Sequence, residues 1–279
     1  MNEKIVTVSI ITIGNELLLG QVQDTNTHWL CKQITGLGGR VVRVAIVRDE
    51  IEAIVNEIRA ALVEKFSFII TSGGLGPTPD DLTLSAVAQA VDRKLVLNSE
   101  ARSMVAERIQ QLYAAKLISD GSMMPSREKM AWLPEGALPL ANHQGTAPGV
   151  LIKEVDSSTI VSLPGVPEEL KDIFNNALQP VLSSLFGTSF YLEKILTLQW
   201  NDESALAPLL GKVRQRWPQV YVKSRAKSFE QGFRILLTLS MSGERGVVLK
   251  EVDAVKNFLS EQLNQQKISF EESVTNSRR

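Results

Sequence analysis

The sequence predicts an α/β protein, with a parallel, helix-covered sheet followed by a smaller α+β unit. Three observations predict it. Residues 1–75 alternate strand-like and helix-like periods in the order β-α-β-α-β. Two glycine-containing loops directly follow strands in that stretch. Beyond about residue 186 the alternation restarts as β-α-β-β-α, without a glycine- or serine-rich linker.

Each element has a local reason. Residues 5–13 (IVTVSIITI) are β-branched and nearly continuous in apolar character, as in a strand buried on both faces. Residues 27–37 carry Leu30, Ile34 and Leu37 at helical spacing and close on Gly38 and Gly39, and Asp24, Thr25 and Asn26 read as the helix start. Residues 41–47 (VVRVAIV) form the second strand, residues 50–64 an amphipathic helix, and residues 66–71 the third strand. Helices follow over 82–91 and 101–115. Strands over 150–154 and 159–163 read as a hairpin across Asp156, Ser157 and Ser158, and Pro167 opens a helix with Glu168 and Glu169 in its first turn. In the second unit, strands are expected over 191–200, 221–225 and 233–242, and helices over 204–216 and 247–263. The domains are placed at 1–170 and 171–265, with a boundary blurred over 165–190. Residues 266–279 are read as a polar tail that frays at 273–279.

Composition narrows the function classes. Hydrophobic residues at 44% and charged residues at 22% are a globular balance that argues against disorder, collagen and a membrane protein. Thirty basic against 31 acidic residues leave no protein-wide positive field, so nucleic acid is not the expected partner. A single cysteine, Cys31, and two histidines, His28 and His143, exclude disulfides, cysteine-rich zinc sites and a three-histidine metal site. The amino terminus lacks a basic leader and no stretch reaches the roughly 18 apolar residues of a membrane span. A soluble, cytoplasmic protein is expected.

The chemistry is expected in the loops that follow strands, because such loops emerge at one edge of a parallel sheet and face one crevice. The first is Gly14 to Gly20 (GNELLLG), with Glu16 inside it, and the second runs from Gly73 to Asp81 (GGLGPTPDD). Gly73, Gly74 and Gly76 permit close backbone approach, so their N–H groups can point at a phosphate, with Thr78 beside them. Asp80 and Asp81 would repel that phosphate unless a divalent cation sits between them. The alternative is a turn whose aspartates cap a helix. A third loop, residues 142–149 (NHQGTAPG), offers Asn142 and Thr146 as hydrogen-bonding groups, and Arg127 and Lys129 can neutralise phosphate charge. No GxxxxGK[ST], GxSxG or post-strand GxGxxG is present, which removes the P-loop, α/β-hydrolase and dinucleotide-fold readings.

Four segments in order carry a family resemblance: GNELLLGQVQDTN at 14–26, TSGGLGPTPDDLT at 71–83, LPEGALPLANHQGTAPG at 133–149 and LPGVPEEL at 163–170. Residues 1–170 resemble the amino-terminal domain of the CinA family, within the molybdopterin-binding (MoaB/MogA-like) superfamily. The resemblance implies a three-layer α/β/α sandwich with a mainly parallel sheet, a homodimer, and divalent-metal-dependent hydrolysis of ADP-ribose and related pyrophosphates to AMP and ribose 5-phosphate. The metal would be Mg, Mn or Co, with potassium assisting. It implies metal-holding and catalytic roles for Glu16, Asp80 and Asp81 and a charge-neutralising role for Lys129. Substrate contacts are implied at Gly14, Asn26, Gly73, Gly74, Gly76, Thr78, Asn142, Gly145 and Thr146. The nicotinamide-nucleotide amidase domain that follows in many CinA proteins has no counterpart in these 279 residues, so amidase activity is not carried over. The competing expectation is a pterin- or nucleotide-binding module without turnover. A third is a nucleic-acid-associated protein, since the second unit resembles small RNA-binding domains and Gly243 to Gly246 (GERG) matches a GXXG clamp, although Glu244 would repel a phosphate.

Overall fold

A computed structural model describes residues 6–186, 190–229 and 232–277. The chain divides into two compact units. The first runs through Leu185 apart from Gln33–Gly39, which groups with the second unit beginning at Phe186.

The first unit opens with β1 (Thr7–Ile13), α1 (Asn15–Leu18), α2 (Thr25–Gly36), β2 (Arg40–Val47), α3 (Ile51–Val63) and β3 (Phe68–Ser72). It continues with α4 (Thr83–Ala90), β4 (Leu95–Leu97), α5 (Ser99–Ala114), α6 (Pro125–Glu128), β5 (Trp132–Pro134) and β6 (Leu138–Leu140). Then come β7 (Gly149–Val155), β8 (Ser158–Leu163), α7 (Pro167–Ile173), a π-helical turn over Phe174–Leu178 and α8 (Gln179–Phe186). Its main sheet has the order β2-β1-β3-β8-β7-β6. The first four strands are parallel, and β7 and β6 close the sheet antiparallel. The β7–β8 hairpin turns on Asp156 with a positive φ of 55°, which an aspartate tolerates in a tight turn.

Alternation along the buried strands sends side chains to two helical layers. Ile11, Ile13 and Ile69 join Ile54 and Ile58 of α3, Val87 of α4 and Val105 and Ile109 of α5 in one core. On the opposite face, Thr12 of β1 meets Thr27 of α2 at 2.8 Å, and Ser72 of β3 meets Asn26. The result is the expected α/β/α sandwich with a mainly parallel sheet. Two helix starts are fixed by side chains: Asp24 Oδ1 accepts from Thr27 N–H at 2.9 Å, and Asn98 Oδ1 from Ala101 N–H at 2.9 Å. Replacing Asn98 with alanine is expected to cost about 1 kcal/mol, read by urea denaturation. An unchanged midpoint would remove the cap from the account.

The short strands β4, β5 and β6 are not legible in the sequence. Three-residue pairings carry no periodicity, and Pro139 is admitted because β6 is an edge strand.

The second unit contains β9 (Phe190–Leu198), α9 (Ala207–Arg216), β10 (Tyr221–Phe229), β11 (Gly232–Gly243), α10 (Arg245–Gln265) and β12 (Phe270–Ser277). Its antiparallel sheet has the order β10-β11-β9-β12. Val248, Val252, Val255, Leu259 and Leu263 of α10 form a stripe against Leu196, Leu237 and Leu239 of the sheet. One expectation is corrected here. The segment read as a polar, fraying tail pairs over Phe270–Ser277 with β9, which makes the unit β-α-β-β-α-β. An edge strand is held by backbone hydrogen bonds and needs few apolar side chains, so its composition resembles that of a tail. Among the described residues, no helix is long and apolar enough to cross a membrane.

Candidate functional site

The parallel strands β2, β1, β3 and β8 all end at one edge of the sheet. Chain connections leave β1 for β2 on one side and reach β3 on the other, so the carboxyl ends of β1 and β3 form a topological switch point, where open α/β sheets bind ligands. The loops there touch. Gly73 has φ 108°, and a Cβ at that position would lie 2.2 Å from the Ile13 carbonyl oxygen. Its N–H donates to the Leu163 carbonyl at 2.9 Å, which ties the loop to the end of β8.

The glycine loop then folds back on α4. Thr83 donates its hydroxyl to the Gly73 carbonyl at 2.7 Å and its N–H to the Gly74 carbonyl at 3.2 Å. Gly74 has φ 67°, and a side chain there would strike the Thr83 hydroxyl. Farther along, Thr78 donates its N–H to Asp81 Oδ2 at 2.8 Å and its hydroxyl to the same oxygen at 2.5 Å. Lys129 Nζ reaches back to the Thr78 carbonyl. Asp80 is exposed, and hydrogen bonding within the Thr78–Asp81 turn, its own N–H included, together with the Lys129 charge holds its carboxyl below its usual range.

These loops border a cavity of about 690 Å³, a volume suited to a nucleotide-sized ligand. Gly14, Glu16, Gly73, Gly74, Gly76, Asp80, Asp81, Gly145 and Thr146 all line it. The two acidic loops, far apart in sequence, therefore share one chamber. Four other predicted residues do not line it. Asn26, 7% exposed, spends its amide on the Gly165 carbonyl at 2.7 Å and on Ser72 at 3.3 Å. Asn142 organises its own loop. Thr78 holds Asp81, and Lys129 holds Thr78. Among the described residues, no three His, Cys, Asp or Glu side chains are grouped closely enough to hold a metal ion by themselves.

Sequence reasoning missed three parts of the wall. Asp49 follows β2, and the same strand-end rule that found the other loops points to it; its Oδ2 accepts from Asn15 N–H at 2.7 Å. Ile109 and Leu112 of α5 give an apolar side, which helical periodicity assigns only to core. Glu169, read as a first-turn acid, also lines the cavity. It is half-buried, and desolvation pushes its carboxyl above the ordinary glutamate value against the opposing pull of Asn142 and Arg108.

That shift has a sign. The folded protein keeps this proton to a higher pH than the unfolded chain does, so stability is lost as pH rises from the ordinary glutamate range through the raised value. Glu169→Gln removes the ionisation. Urea denaturation from about pH 4 to about pH 7 is expected to show wild type falling relative to the variant across that window. Parallel curves would contradict the shift.

Fold and site together define an α/β protein with a glycine-lined small-molecule cavity at the switch point of a mainly parallel sheet. The chain belongs to the family described as "Probable molybdopterin binding domain", which residues 9–184 match, and carries a CinA-like member of it. A protein of Pyrobaculum arsenaticum is 42% identical over 81% of this chain and 82% of its own length. One of Aeropyrum pernix is 38% identical over 90% and 93%. Among solved structures, the CinA protein of unknown function from Thermoplasma acidophilum is 32% identical with a TM-score of 0.57, covering 64% of this chain and 98% of that one.

Proposed function

We propose that the cavity binds a nucleotide pyrophosphate with a divalent cation and hydrolyses it, converting ADP-ribose and water to AMP and ribose 5-phosphate. The observation that carries the reading is the shared chamber, in which the Gly73–Gly76 backbone and the carboxylates of Glu16, Asp80 and Asp81 line one wall system. The donor set fits Mg²⁺, Mn²⁺ or Co²⁺: these are hard oxygens, and Mg²⁺ usually takes one or two carboxylates plus substrate phosphates. Asp80 suits the role, because its carboxylate is exposed on the cavity wall and no residue of the chain buries it. When bound, the cation supplies positive charge against the phosphoryl oxygens and lowers the pKa of bound water.

The remaining work belongs to the chain. Backbone N–H groups of Gly73, Gly74 and Gly76 cradle the pyrophosphate, with Gly14, Gly145 and Thr146 bounding the ligand. The Glu16 carboxylate lies over Gly14 and orients the attacking water. Lys129 and Thr78 fix the Asp81 turn. Asn26 and Asn142 hold the loops that contact the ligand. Potassium is the assisting ion in this reading, and a cytoplasmic homodimer is its working form, checked by light scattering of the purified protein.

A second reading, a pterin- or nucleotide-binding module without turnover, is favoured by one observation. Asp81 Oδ2 already accepts two hydrogen bonds from Thr78, and no three-carboxylate cluster is assembled among the described residues. One assay separates the two. Protein incubated with ADP-ribose and each metal should release AMP, and a chelator should stop it. Tight binding of ligand with no AMP under any metal would replace the hydrolase by the module.

A further inference from the structure

Three consecutive residues of the loop joining β6 to β7 are each fastened by a charged side chain. Asn142 Nδ2 donates to Glu169 Oε2 at 2.7 Å. His143 donates its N–H to Asp172 Oδ2 at 2.8 Å, with its Nδ1 2.9 Å from the same oxygen. Arg108 Nη2 donates to the Gln144 carbonyl at 2.8 Å. Asn142 also braces the loop internally, donating to the Ala147 carbonyl at 2.8 Å and accepting from Gly145 N–H at 2.8 Å. The next residues, Gly145, Thr146 and Ala147, form a cavity wall.

Of the three anchors, Glu169 is the one that itself lines the cavity. It lies flush on Gly145, where an added Cβ would come within 2.0 Å of its carboxylate. Fastening the loop takes one oxygen, Oε2. Among the described residues, no donor reaches Oε1. A carboxylate oxygen on the cavity wall with no protein donor is free to accept a hydrogen bond from a ligand. The α5 side of the same cavity is apolar, with Ile109 and Leu112, and Met130 and Leu75 adjoin it. A flat ring suits that wall, and a carboxylate on the same cavity suits an N–H on that ring.

We propose that Glu169 selects the ligand: with Oε2 committed to Asn142, Oε1 accepts an N–H from the amino group of a heterocycle packed on the Ile109–Leu112 wall. The inference rests on the reading that a phosphate-bearing ligand occupies the glycine loop, and it adds which ring that ligand carries. Adenine and pterin share the required amino group. Hypoxanthine and lumazine replace it with a carbonyl, whose oxygen would face Oε1 and be repelled. Glu169→Gln keeps an acceptor for Asn142 and turns the other position into a donor, which inverts the match.

Calorimetric titration of AMP against IMP, and of pterin against lumazine, tests this in wild type and in Glu169→Gln. Wild type is expected to prefer the amino member of at least one pair by about tenfold, and the pair that shows it identifies the ring. In Glu169→Gln that ratio should fall to about one or below. The ratio is insensitive to a general loss of folded protein, which weakens both members alike. Equal ratios in the two proteins, or no binding of any of the four compounds, would overturn the proposal. AMP release from ADP-ribose is followed separately. A switched ratio without release removes the hydrolase and leaves Glu169 as selector, and release without a switched ratio removes the selector alone.

Discussion

Gly73→Ala is expected to cost about 3 kcal/mol or more of unfolding free energy, a loss at the upper end for single substitutions. Two penalties coincide at this residue. Its φ of 108° lies where L side chains rarely go, and the new methyl would sit 2.2 Å from the Ile13 carbonyl oxygen. The clashing atom is backbone at the end of β1, and the Gly73 N–H is held by Leu163 at the end of β8. Relief therefore requires strand ends to separate rather than a side chain to turn. Gly20 is the control: its φ is 69°, but no atom lies within 4 Å of an added Cβ. Gly20→Ala is expected to cost only about 1 kcal/mol, the left-handed penalty alone. Urea denaturation of both variants reads the difference. Similar small losses at the two positions would mean that the β1 and β3 loops are not in contact.

Asp80→Asn is expected to lower metal-dependent AMP release by about 100-fold or more while moving the thermal midpoint only slightly. The side chain is exposed, so its removal leaves no buried group unpaired. The amide keeps the shape and removes the charge that the proposed cation would meet. Asp81 behaves differently, because its Oδ2 accepts from both the N–H and the hydroxyl of Thr78. Asp81→Ala should therefore lose the turn as well as the charge, and a drop in midpoint should accompany the drop in rate. AMP release unaffected by Asp80→Asn would remove this aspartate from the metal reading.

Much of this is visible in the residues before any folding. The run IVTVSIITI, the helical spacing of residues 50–64 and the placement of two glycine loops after strands mark the parallel sheet and its ligand edge. They are legible because buried strands and amphipathic helices write their burial as a local period. Glu169 was hidden because an acid in a helix's first turn has an ordinary local explanation. Its partner Asn142 lies 27 positions away in the chain. The strand Phe270–Ser277 was hidden for the opposite reason: its stabilising partner, β9, supplies backbone groups that leave no mark on the segment's own composition.

The sequence alone determined the α/β class, the order of most elements, the loops that face the ligand edge and the carboxylates within them. Tertiary structure decided which of those residues share a chamber and which do not: Glu16, Asp80 and Asp81 line one cavity at the switch point, whereas Asn26 and Lys129 brace the loops. It also decided that Glu169 joins the cavity with one oxygen engaged. The physical reason is that periodicity and turn chemistry act between neighbours along the chain, whereas a cavity wall is made of contacts between strand ends and helix faces whose separation in sequence carries no local signal.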